Sequence, residues 1–212
     1  MTTLSSRILS ALRCLAVPVV ALPLLAACGA STPLRYHTLV RPDPAGTEVS
    51  GAARVLVEIL PVAVPDSVSR ESLVLNTPTG QVTVLETDRW LAPVSDEIRQ
   101  LVADSLWRSA RAADTYQAPV PTGVPVPRYR LALRLERFDA VPGQAATVVG
   151  SWTLRGLPDG PVQICRWAGA QPLPGPDAAA ASAALADGSR RLADRIGDSL
   201  RRAVEGDRDI CS

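Results

Sequence analysis

The sequence predicts an α/β fold: one domain with a mixed, largely antiparallel sheet packed by two main helices, preceded by a lipoprotein signal peptide and a tether. Three observations predict it. Short runs of alternating apolar residues are separated by turn residues, two longer stretches carry apolar residues at helical spacing, and their order is strands, helix, strands, helix. Removing residues 1–27 from the 212 leaves 185, enough to bury one core. We find no internal repeat and no second domain. The expected organisation is a signal over 1–27, a lipidated N-terminus and tether over 28–52, the domain over 53–206 and a tail over 207–212.

The signal is read from its three parts. Arg7 and Arg13 supply a basic start, residues 15–25 are mostly apolar, and Leu25-Ala26-Ala27 places small residues before Cys28. The run falls short of the ~20 apolar residues a span needs, and Pro18 and Pro23 interrupt it. A cysteine directly after Leu-Ala-Ala is a bacterial lipobox, so Cys28 is expected to carry covalent lipid and become the mature N-terminus. Gly29, rather than Asp, follows it, which favours sorting to the outer membrane.

Beyond Cys28, Gly, Ser, Thr and Pro make residues 29–52 read mainly as a tether. Within it, Tyr36-His37-Thr38-Leu39-Val40 alternates enough for a short edge strand. Residues 54–60 are apolar on both faces, as in a covered strand, and Pro61 and Pro65 end it. Residues 73–75 and 81–85 flank Asn76-Thr77-Pro78-Thr79-Gly80, a hairpin signature. Pro93 with Asp96 and Glu97 opens a helix whose stripe is Val94, Ile98, Leu101, Val102 and Leu106.

Four prolines make 117–127 a loop. A meander follows. Tyr129, Leu131, Leu133 and Leu135 face one way and Arg128, Arg130, Arg134 and Glu136 the other. Turns at Pro142-Gly143 and Leu157-Pro158-Asp159-Gly160 lead to strands over 146–155 and 162–167. After a second Pro-rich loop over 171–176, Leu185, Leu192, Ile196, Leu200 and Val204 mark the closing helix. Gly188 beside that stripe lets the helix approach the sheet.

Charge narrows the function. The mature chain carries 20 arginines against 21 acids, no footprint for nucleic acid. Lysine is absent, which excludes a Walker lysine and a Schiff base. His37 is the single histidine, no Gly-x-Ser-x-Gly elbow occurs, and the chain is expected not to be an enzyme. Cys14 leaves with the signal, and two readings stay open for Cys165 and Cys211. Either they form a disulfide tying the tail to a strand, or Cys165 is a buried thiol and Cys211 is free. They make a poor metal set, and no cofactor beyond the lipid on Cys28 is expected. Arg89 and Trp90 also have two readings: a docking surface for another protein, or a core tryptophan with a solvated neighbour.

Four pieces together resemble the ABC-type transport auxiliary lipoprotein family: Tyr36-His37-Thr38-Leu39 after the lipid cysteine, Arg89-Trp90 followed by Pro93, Tyr129-Arg130-Leu131 running to Phe138 and Trp152-x-Leu154, and Leu192-Ala193-x-x-Ile196. His37 and Leu91-Ala92 depart from the family's usual residues. The resemblance implies a compact α/β domain and a non-catalytic outer-membrane lipoprotein facing the periplasm. Its partner would be an MCE-domain protein of an envelope lipid transporter. Family members also assemble as rings, so it allows a homo-oligomer. A lipid-binding carrier, or a structural lipoprotein of another envelope complex, are the alternative functions.

Overall fold

β1 (Arg35–His37) is the first strand of the computed structural model, which describes residues 32–41, 50–118, 120, 123, 125–173 and 175–212. The signal, Cys28 and much of the tether lie outside the described residues. β1 runs parallel to β4 (Val82–Trp90), with Arg35 opposite Asp88, Tyr36 opposite Arg89 and His37 opposite Trp90. β4 pairs antiparallel on its other side with β3 (Ser72–Asn76). The expected hairpin turn joins them: Gly80 takes φ +85°, and its N–H donates to the Thr77 carbonyl at 3.0 Å.

The second sheet has the order β5-β2-β6-β7-β8. β2 (Val55–Ile59) runs parallel to β5 (Ala112–Asp114) and to β6 (Arg128–Ala140). β6, β7 (Ala145–Gly156) and β8 (Val162–Pro172) form the antiparallel meander. Two mixed sheets therefore stand where one was expected. Pro61 and Pro65 remove ladder donors after β2, so the chain leaves its strand and continues beside β6, where the Leu135 N–H donates to the Ala63 carbonyl at 2.8 Å. The hairpin that follows is then free to pair with β1.

β5 was not anticipated, since Ala-Ala-Asp has no alternation of its own. Its position comes from Asp114, whose carboxylate accepts from the N–H groups of Ile59 (3.2 Å) and Tyr116 (2.9 Å) and pairs with Arg99. β8 also runs five residues past its expected end at Trp167. It absorbs Gln171 and Pro172 from the anticipated loop, because β7 offers partners as far as Ala145.

α1 (Val94–Ala110) starts after Pro93, whose carbonyl accepts from Asp96 and Glu97. Its stripe of Val94, Ile98, Leu101, Val102 and Leu106 is buried, as the spacing predicts. α2 (Ala178–Glu205) is capped by Asp177, whose side chain accepts from the Ala180 N–H at 2.7 Å. A compact unit runs from Leu34 to Ser212, with one core built from both sheets and both helices.

Small residues set how closely α2 lies. A Cβ on Gly188 would stand 2.8 Å from Val148 Cγ2, and one on Gly197 would stand 2.7 Å from Ser105 Oγ of α1. Gly188 thus does what its place beside the stripe suggested. The chain's end is held too: Ile210 is buried, and Cys211 is disulfide-bonded to Cys165 of β8 across 46 residues, Cα to Cα 5.3 Å.

Gly188→Val is expected to push α2 off β7 and cost about 1–3 kcal/mol, read as a lower midpoint in urea unfolding. Cys211→Ser is expected to destabilise the oxidised domain by about 2–4 kcal/mol, with no effect when both proteins are measured in reductant.

Candidate functional site

The chemistry-bearing side chains gather where β1 meets β4, next to the point at which the chain arrives from Cys28. Asp88 of β4 is buried at 2% exposure. Arg35 donates to both its oxygens, at 2.9 and 2.7 Å, and His37 Nε2 lies 2.8 Å from Oδ1. The hydrogen bond from Arg35 holds this carboxyl at about 2, below its ordinary 3.8. Burial opposes that shift, and His37 and Thr87 add to it.

The same network reaches α2. The Ser182 hydroxyl donates to the Ala179 carbonyl at 3.0 Å, and its oxygen lies 3.1 Å from His37 Nδ1. Serine, histidine and aspartate are thus in line, an arrangement whose catalytic form would have serine give its proton to the imidazole. Here the serine is buried, and its hydroxyl has the Ala179 carbonyl within reach as well as the imidazole. The line ties α2 to β1 and β4.

A second buried carboxylate completes the attachment. Glu97 of α1 accepts the Leu39 N–H at 2.5 Å, and the Leu39 side chain is fully enclosed in the core. Segment 35–40, expected inside the tether, is therefore part of the domain. The short strand expected within the tether is β1, and strand pairing and two buried acids hold residues 35–39.

Trp90 is 5% exposed, and its ring meets Phe138 edge to face with centroids 5.9 Å apart. Of its two readings, the structure gives the core one. Arg89 pairs with Glu71 at 3.0 Å, while its Nε is buried without a partner among the described residues. Neither offers a large free surface. The exposed apolar residues lie on either side of them. Leu91 is 65% and Tyr36 58% exposed, brought together because the Leu91 N–H donates to the His37 carbonyl at 2.8 Å. With Val64, Val68, Pro93 and one edge of Trp90 they line a groove of about 410 Å³.

Other predicted positions lie elsewhere. Arg130 pairs with Glu58 at 2.7 Å, and Arg166 with Glu136 at 2.9 Å, on the solvated face of the meander. Among the described residues there is no metal-binding cluster, and no helix is long and apolar enough to cross a membrane. Sequence reasoning singled out Arg89, Trp90 and His37 but missed Asp88, Glu97 and Ser182. Asp88 shares a strand face with Trp90, two residues on, which was the available signal, and the exposed Glu86 two residues before it blurs that signal.

The depressed Asp88 carboxyl makes stability depend on acid. Its contribution is complete above the unfolded value of 3.8 and is lost as pH falls towards 2. The expected size is about 1–2 kcal/mol, allowing for water at the exposed end of Arg35. Asp88→Asn should lower the melting midpoint at pH 7 and flatten its fall between about pH 4 and pH 2, measured by circular dichroism.

Residues 37–197 match the family model described as ABC-type transport auxiliary lipoprotein component. No curated protein matches the chain. A crystal structure of an uncharacterised protein superposes with TM-score 0.60 at 16% identity, covering 80% of this chain and 99% of the other. Protein XCC0632 from Xanthomonas campestris, assigned to the DUF330 family, superposes with TM-score 0.58 at 23% identity, covering 82% and 98%. These likenesses show a shared fold. The match from β1 into α2 covers most of the domain, and the chain belongs to the ABC-type transport auxiliary lipoprotein family.

Proposed function

We propose that the protein is an outer-membrane lipoprotein, lipid-anchored at Cys28 and facing the periplasm. It serves there as a non-catalytic docking subunit of an ABC-type lipid transport system whose envelope-spanning component is an MCE-domain protein. The family's own description as a transport auxiliary component carries the reading. Leu25-Ala26-Ala27-Cys28 supports the anchor, and Gly29 supports the outer membrane. The Cys165–Cys211 disulfide suits an oxidising compartment.

The physical logic is confinement. Several acyl chains on one residue give durable attachment. A domain held in a thin layer meets an approaching partner at raised effective concentration, so modest affinity suffices for docking. The carrier alternative needs room between sheet and helix. A Cβ on Gly150 of β7 would stand 2.8 Å from Leu192 of α2, so sheet and helix are in close contact at that point, which favours the docking reading.

In cells, photocrosslinking from positions spread over the exposed surface of the full-length lipoprotein is expected to capture an MCE-domain protein. Recovery of no such partner, with the lipoprotein correctly localised, would overturn the docking role.

A further inference from the structure

The groove beside β1 sits close along the chain to the residue expected to carry lipid. Leu34, where the compact unit begins, lies six residues beyond Cys28. Six extended residues span at most about 20 Å. Residues 35–39 add no slack to that reach, because β1 pairs with β4 and Leu39 is held by Glu97. An acylated Cys28 would therefore keep this end of β1 within about 20 Å of the bilayer surface.

Exposed apolar side chains run along β1 from that point. Leu34 is 46% exposed, Tyr36 lies two residues on, and Leu91 stands beside them at the end of β4. An exposed tyrosine suits a bilayer interface, since its ring is apolar and its hydroxyl stays hydrated. Arg70, at the groove, is exposed and makes no ion pair among the described residues, leaving a guanidinium for phosphate. Glu71 is exposed beside it but is paired with Arg89.

We propose that the face formed by Leu34, Tyr36 and Leu91, with Arg70 at its margin, seats on the phospholipid surface and orients the domain. The proposal rests on acylation of Cys28. Leu34, Tyr36 and Leu91 enter the interfacial layer, and Arg70 meets headgroup phosphate. Val82, at the start of β4 and 58% exposed, lies outside this face, about 30 Å from Leu91 along the strand. A protein partner or a second copy could also cover an apolar groove. The short chain to Cys28 favours the lipid.

The test uses the mature, lipidated protein in vesicles of phosphatidylethanolamine and phosphatidylglycerol. A bimane fluorophore is placed through Leu91→Cys, with Tyr36→Cys as a second site and Val82→Cys as the distant control. Vesicles are floated, and quenching by headgroup-proximal nitroxide lipid is read. Quenching at 91 and 36 at least twofold stronger than at 82 is expected. Flotation with equal quenching at all three sites would overturn the seated face and leave the anchor standing. A label at 91 shielded from water but not quenched by lipid would assign the face to a protein partner or second copy and overturn the proposal. Failure to float would remove the anchor, and the seated face with it.

Discussion

A carboxylate with almost no access to water holds this structure together at its most demanding point. Asp88 sits in the middle of three elements that are far apart in the chain: β1, β4 and, through His37 and Ser182, α2. A buried charge is costly unless paired and hydrogen-bonded. Asp88 is satisfied only when Arg35 and His37 are both in register with β4. One residue of slip in β1 would turn His37 and Arg35 to the opposite face and strand the charge. Three residues of strand would otherwise be too few to hold a chain end. The acid gives that short strand its specificity, and Glu97 repeats the device two residues after β1 ends.

The strongly periodic parts of the fold were legible. The stripe of α1, the α2 stripe as far as Leu200 and the alternation of Leu131, Leu133 and Leu135 correspond to buried faces, because a 3.6- or 2-residue period leaves a local mark. Val204, expected on the α2 stripe, is exposed in the last turn of the helix. What escaped was non-local. β5 exists because Asp114 bonds across to β2. The sheets number two because of pairing between residues some 50 apart, with nothing in Arg35–His37 to announce Asp88. Trp90 illustrates the same limit. Tryptophan beside arginine suits either a docking surface or a core, and only the position of Phe138 decides between them.

The region around Asp88 is a joint. Its acids, histidine and serine bond to each other and to backbone, and in doing so they fasten the arriving chain. The apolar residues just outside the joint remain uncommitted. This division separates attachment, which needs saturated polar partners, from contact with other molecules, which needs exposed ones. It also explains why Trp90 lines the groove while contributing little free surface to it.

The segment after α2 is fastened by different means. Cys211 is cross-linked into β8 and Ile210 lies in the core, so the residues between Glu205 and Cys211 form a short bridge held at both ends. Reducing the cross-link would leave Ile210 as the apolar hold on that bridge. Local opening beside β8 is then tied to the thiol balance of the surroundings.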